Sequence, residues 1–176
     1  MTAHVNSASN HPFWSVIQTV PDFPSAGISF FDLTPLLLEH VEAVTCAMLD
    51  AVPAAVWDQV DTLVAIEARG FVFASLLAGR LGKGIILLRK AGKLPPPVQQ
   101  YHYALEYGQD CLEIRTGLAP RRVLLVDDVL ATGGTLSAAG QLCQQVGHTV
   151  LGGLVLLDLP ALHTDLPWPL FGVLTA

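Results

Sequence analysis

Two adjacent carboxylates, Asp127 and Asp128, follow directly on the apolar run Val123 to Val126, and Val129, Leu130, Ala131, Thr132, Gly133, Gly134 and Thr135 come next. A buried strand seldom ends in paired carboxylates without a use for them, because a charge taken from water unpartnered is costly. The glycines allow a backbone to approach a ligand closely and to adopt positive φ. Amides at a helix start lack intrahelical partners and lie at the positive end of the helix dipole, which suits a phosphate monoester. The two aspartates would repel that phosphate, so they must face something else, such as ribose hydroxyls or a bound cation. A sugar phosphate with free hydroxyls, carrying Mg²⁺, satisfies both halves of the loop.

The elements that must position these groups can be read on either side. Val123 to Val126 suits a strand buried on both faces, ending at the acidic pair. The pattern from Leu136 onward reads as a helix, with Thr135 as its cap and Gly147 as its stop. No Gly-Lys-Ser/Thr follows, which excludes a Walker A loop, and the Gly-x-Gly-x-x-Gly spacing of a dinucleotide loop is absent. A receiver domain also ends its first strand in two aspartates, but it needs four more strands, and only 48 residues follow Asp128.

Other strands end in charge as well. Thr62 to Glu67 reads as a buried strand running into Glu67, Ala68, Arg69 and Gly70, with a helix to about Leu81. Charges at a strand's carboxyl end occupy the edge where open α/β sheets bind ligands; an ion pair internal to the fold is the alternative. Gly84 to Leu88 is a third strand, ending in Arg89 and Lys90. The loop that follows carries Gly92, Lys93 and three prolines, Pro95 to Pro97. It can be neither helix nor central strand, and it reads equally as an exposed hairpin loop or as a lid over a phosphate site. Tyr101 to Gly108 alternates as a strand, paired through a turn at Gln109-Asp110 with Cys111 to Arg115. On it Glu106 reads as a solvent-side charge. Near the start, residues 10–20 suggest a short helix with Asn10 as cap. A turn-rich break at 21–27 comes next, then the apolar segment with Ile28, Phe30, Phe31 and Asp32, and a helix to about Val52. Thr149 to Asp158 is a further buried strand, and a short last strand is expected near Leu170 to Leu174.

At 176 residues the chain suits one α/β domain. Apolar residues make up 52% and the mean hydropathy is +0.51, which implies strands buried on both faces or a subunit interface. No apolar run is long and unbroken enough to span a membrane, and the first twelve residues do not read as a signal peptide. Three well-separated cysteines (Cys46, Cys111, Cys143) fit neither a disulfide framework nor a zinc spacing, so a reducing cytoplasm is expected. A net charge of −6 argues against non-specific nucleic-acid binding. All nine Lys and Arg lie between Arg69 and Arg122, as if several served one anionic site.

The run from Val123 to Thr135 resembles the phosphoribosyl-diphosphate loop of type I phosphoribosyltransferases, in the wording of their adenine-using branch. Glu67-Ala68-Arg69-Gly70, the block from Arg89 to Pro95, Leu105-Glu106-Tyr107-Gly108 and the segment 28–35 match the same family at similar spacing, so the resemblance covers roughly residues 13–158. It implies an α/β fold with a mostly parallel central sheet, in one domain over 1–176. An N-terminal hood (1–35) would take the base and a flexible β lid loop would span 90–107. The activity implied is Mg²⁺-dependent transfer of phosphoribosyl from phosphoribosyl diphosphate to adenine, giving AMP and diphosphate, a purine-salvage step in a cytoplasmic homodimer. By the same resemblance Asp127 and Asp128 hold the ribose, and Ala131, Thr132, Gly133, Gly134 and Thr135 the 5′-phosphate. Ala68, Arg69, Arg89, Lys90 and Lys93 meet the diphosphate, and Glu106 handles the purine's proton. Ile28, Phe30, Phe31 and Asp32 lie against the base, largely through their backbone. Mg²⁺ would be held mainly by the substrate, with no dedicated protein ligand. The family usually has arginine where Phe31 stands, and the proline-rich tail after Asp158 departs from its pattern. An oxopurine acceptor and a regulatory binder without turnover are the alternatives.

Overall fold

The protein is described here from a computed structural model, which covers residues 11–23, 25–105 and 108–176. Asn10 and Glu106 fall outside the described residues. A two-stranded antiparallel hairpin, β1 (Gln18–Pro21) and β2 (Ser29–Asp32), precedes helices α1 (Thr34–Glu39), α2 (Val41–Asp50) and α3 (Ala54–Trp57). The main body then runs β3 (Thr62–Ile66), α4 (Gly70–Leu81), β4 (Gly84–Lys90), β5 (Val98–Leu105), β6 (Gly108–Arg115), β7 (Arg122–Leu130), α5 (Gly134–Gln145), β8 (Thr149–Asp158) and β9 (Leu170–Thr175).

These seven strands form one sheet in the order β5-β6-β4-β3-β7-β8-β9. From β4 to β9 all neighbours are parallel, whereas β6 joins β4, and β5 joins β6, antiparallel. β3 is buried at every position, as an interior parallel strand must be. Its side chains alternate between two cores. Leu63 and Ala65 pack with Val44, Met48, Phe73 and Leu77, while Val64 and Ile66 pack with Leu112, Ile114, Ala139 and Leu142. Truncating Phe73, 1% exposed in the first core, to alanine would cost about 3–5 kcal/mol.

The chain leaves β3 towards β4 on one side, and β7 lies on the other. A crevice therefore opens between the carboxyl ends of β3 and β7, where open α/β sheets place their ligands. Gly70 makes this junction close. A Cβ there would sit 2.6 Å from the Val126 carbonyl oxygen and 3.1 Å from Asp127 Oδ1, so the start of α4 lies directly on β7.

Several expectations are corrected. Residues 12–15 form only a short 3-10 turn, with His11 Nδ1 accepting from the Phe13 amide at 3.3 Å, and the residues from Gln18 pair into a hairpin. The helix expected as far as Val52 is broken at His40, the boundary between α1 and α2. Thr135 is not the helix cap. Gly133, at φ 79°, turns the chain sharply enough for α5 to begin at Gly134 with no side-chain cap. β7 does not stop at the acidic pair but runs on to Leu130, paired with Asp158. The turn expected at 109–110 is not there: Gln109 and Asp110 lie within β6 and pair in register with Ala104 and Tyr103. The tail ends in the expected strand, and Trp168 lies over Gly140 of α5, where any added methyl group would overlap the indole.

Candidate active site

A cavity of about 340 Å³ occupies the crevice. Its wall takes Ala68 and Arg69 from the β3–α4 turn, Lys90 from the end of β4, and Asp127 and Asp128 from β7. Ala131, Thr132, Gly133 and Thr135 close the opposite end. Residues far apart in sequence thus meet because three parallel strands end side by side.

The phosphate loop carries no charged side chain. Its binding capacity lies in the first-turn amides of α5, which have no intrahelical acceptor, and in the hydroxyls of Thr132 and Thr135. The Thr135 hydroxyl lies 3.3 Å from the Tyr103 hydroxyl.

Asp128 is 5% exposed. Arg69 Nε stands 2.7 Å from its Oδ2, a charge contact too poorly aligned for a hydrogen bond, so that buried oxygen has no hydrogen-bond partner among the described residues. Asp127 Oδ1 accepts from the Asp128 amide at 2.9 Å. Burial, and then the charge of Asp128, push the Asp127 carboxyl well above the usual carboxylate range, against the smaller pull of Arg69. The pair is therefore built to gain from a donor or a cation arriving between the carboxylates.

On the opposite wall the cations are already engaged. Arg89 is bidentate on Glu67, with Nε to Oε2 and Nη2 to Oε1 both at 3.2 Å, and Glu67 also accepts from the Lys90 amide at 2.8 Å. The Arg89 bond first, and then the Lys90 amide, keep the Glu67 carboxyl below its ordinary value despite burial. Glu67 and Arg69 do not pair with each other: Glu67 pairs with Arg89 and Arg69 with Asp128. Lys90 Nζ donates to Asp110 Oδ2. Burial opposes the charge on Lys90, but Asp110 and Tyr103 outweigh it and raise its pKa.

Arg89, Lys93 and Gly134 stand outside the cavity wall. Lys93 is exposed, and its backbone is fastened from below. Glu113, 1% exposed, accepts the amides of Gly92 (3.1 Å), Lys93 (2.7 Å) and Leu94 (2.6 Å), together with the Gln100 side chain at 3.3 Å. The base segment lies beside the cavity rather than in its wall. The Phe30 ring has the Arg69 guanidinium 5.2 Å above it, whereas Phe31 turns to Trp14, edge-on at 5.9 Å, and into the first core. Asp32 accepts from the Thr34 amide at 2.9 Å, and Ile28 donates to Ser25 O and accepts from Phe23 N. The Phe31 side chain thus stands where it completes packing, whatever polar group the family carries there.

Three participants had no individual signal in the sequence. Tyr103 and Asp110 were strand and turn residues, and Glu113 an unremarked member of the strand Cys111 to Arg115. His163 is a fourth. It bonds Asp158 Oδ1 through Nε2 at 2.6 Å, and its Cβ would be 3.4 Å from a Cβ at Gly133, so the divergent tail backs the phosphate loop.

A crevice at the switch point, joining an uncharged amide loop, a carboxylate pair and several cations, is the site of a sugar-phosphate transferase. The sequence profile of the phosphoribosyl transferase domain matches residues 39–165, and the chain belongs to that family. Relatives in it include adenine phosphoribosyltransferases. The enzyme of Hydrogenovibrio crunogenus is 46% identical over 88% of this chain and 89% of its own, and that of Mycobacterium sp. (strain KMS) 48% over 84% and 85%. The crystal structure of the Rhodothermus marinus enzyme superposes with a TM-score of 0.83 at 36% identity, covering 93% of this chain and 96% of that one. The Saccharomyces cerevisiae enzyme, complexed with an imino-altritol bisphosphate and adenine, gives 0.81 at 33% identity over 92% and 96%. No helix among the described residues is long and apolar enough to cross a membrane.

Proposed function

We propose that the protein transfers phosphoribosyl from phosphoribosyl diphosphate to adenine, giving AMP and diphosphate. The observation that carries this reading is the convergence of Arg69, Lys90, the Asp127–Asp128 pair and the uncapped start of α5 on one cavity. Adenine as acceptor is supported by relatives of that name at 46% and 48% identity.

Departure of diphosphate from C1 of the ribose leaves an oxocarbenium-like centre. The α5 amides and Thr135 hold the 5′-phosphate, which fixes C1 relative to the incoming base. Asp127 and Asp128 accept the ribose hydroxyls and place negative charge near the developing cation. Arg69 and Lys90, with Arg89 and Lys93 behind them, take the diphosphate; Glu106 takes the purine's proton. Phe30, beside Arg69, lies against the base.

The donor set fits Mg²⁺ held chiefly by substrate oxygens. Among the described residues no group of three or more His, Cys, Asp or Glu is arranged to cage a metal; Asp127 and Asp128 would meet the ion through the ribose hydroxyls they accept. The ion would neutralise charge on the diphosphate as it leaves. The apolar content of 52% is compatible with assembly as a homodimer; size measurement in solution tests that.

The deciding experiment is diphosphate release with phosphoribosyl diphosphate, Mg²⁺ and each purine in turn. Release with adenine alone, abolished by chelator, is expected. Release with an oxopurine instead would keep the reaction and overturn the acceptor.

A further inference from the structure

Lys90 and Thr135 both line the cavity, and one cluster on the β5–β6 hairpin reaches both. Lys90 Nζ donates to Asp110 Oδ2 and lies 3.4 Å from the Tyr103 hydroxyl. The Tyr103 hydroxyl is 3.2 Å from the same Asp110 oxygen and 3.3 Å from Thr135 Oγ1. Tyr103 and Asp110 face each other in the β5–β6 register, and Asp110 Oδ1 is fixed by the Cys111 amide at 2.8 Å. Tyr103 is 9% exposed and rooted in the second core, so the cluster is anchored rather than dangling.

The Asp110 carboxylate therefore sits where a bound anion would meet Lys90. An ammonium has three donors and could serve two acceptors. A diphosphate oxygen brought to Lys90 would nevertheless lie beside a carboxylate of like charge, one that Lys90, the Cys111 amide and Tyr103 keep ionised against the effect of burial. One of the two anions must give way.

We propose that Asp110 is a positioning residue that stands in for the diphosphate. It holds Lys90 in place while the site is empty, yields it when phosphoribosyl diphosphate binds, and reclaims it as diphosphate leaves. Tyr103, bonded to the same oxygen and to Thr135, ties this exchange to the 5′-phosphate end. The inference rests on the assignment of Lys90 to the diphosphate.

The test compares the whole protein with Asp110→Asn, Lys90→Ala and the double variant. It measures Mg²⁺-diphosphate affinity by calorimetry and the KM for phosphoribosyl diphosphate. Asp110→Asn should tighten diphosphate binding and lower that KM by about two- to fivefold, the size of a partly exposed ion pair, and leave the KM for adenine unchanged. The tightening should vanish in the Lys90→Ala background. Unchanged or weaker diphosphate binding by Asp110→Asn, where Lys90→Ala weakens it, overturns the stand-in. So does equal tightening with and without Lys90, which would reflect net charge alone. If Lys90→Ala changes neither quantity, the diphosphate assignment itself is wrong. Asp110→Ser, carried through the same measurements, replaces Asp110→Asn if the latter does not fold.

Discussion

The two anion-binding ends of the cavity are built on opposite plans. The loop after β7 offers backbone amides and hydroxyls and no charged side chain, and Ala131, Thr132, Gly133 and Thr135 line the cavity, with Thr135 in contact with Tyr103. The wall after β3 and β4 offers cations, and the fold already neutralises them: Arg69 against Asp128, Arg89 against Glu67, Lys90 against Asp110. Amides at a helix start cost little to leave hydrated, whereas three neighbouring cations repel one another and need counter-charges in the empty protein. The first end can bind by filling; the second binds by exchange.

The largest effect should come from the carboxylates between the two ends. Asp127→Asn should lower kcat by about 10²–10³-fold, as loss of a group acting on developing charge does, and yet raise the melting temperature. The folded-state pKa of Asp127 is raised by burial and by Asp128, so ionising it costs stability at neutral pH. The wild-type protein should regain that stability as pH falls through the raised value, and the advantage of Asp127→Asn in thermal melts should shrink accordingly. A wild-type melting point insensitive to pH over that range would contradict the strained pair.

Glu113→Ala comes next, because it removes the acceptor of three amides and bares the backbone beneath Lys93. It should cost about 2–4 kcal/mol in denaturant unfolding. The sign of its pH dependence is opposite to that of Asp127. Burial works against the Glu113 carboxylate, but the Leu94 and Gly92 amides and Gln100 hold its pKa low, so its stabilisation is present above the unfolded-state value and is lost in acid. Gly133→Ala probes the amide end. Alanine at φ 79° carries about 1–2 kcal/mol of strain, enough to raise the KM for phosphoribosyl diphosphate roughly five- to thirtyfold if the loop distorts. The smallest effect should be that of Tyr103→Phe, which keeps the buried ring and removes only the hydroxyl. It should shift the KM for phosphoribosyl diphosphate by about threefold or less, and Mg²⁺-diphosphate affinity by less still. A larger shift in diphosphate affinity would mean that Tyr103 serves Lys90 and not the phosphate loop.

The amide end was legible in the sequence because its chemistry is local: a strand, two aspartates, two glycines and a helix start within thirteen residues. The cation end was legible only in part. Arg69, Arg89 and Lys90 announce themselves at strand ends, but their partners depend on β6 lying beside β4, and no local pattern fixes that pairing. Asp110 looked like a turn residue because Gln109-Asp110 is good turn chemistry; pairing with β5 instead makes both of them strand residues. The N-terminal segment misled for a similar reason. Its apolar spacing suits a helix, yet pairing with β2 makes Gln18 to Pro21 a strand.

The seat of Trp168 on Gly140 bears on how this protein can be altered. The last nine residues, from Trp168 on, look expendable, since they belong to the divergent proline-rich tail and carry no chemistry of their own. Yet the indole covers the helix whose first turn forms the amide end, and β9 closes the sheet beside β8. A chain cut before Trp168 would uncover α5 and leave β8 as a bare edge, so tags are better fused after Ala176 than substituted for this segment. Among relatives, the bulk of the residue at position 140 should vary inversely with that at position 168, and a survey of aligned sequences can read that directly.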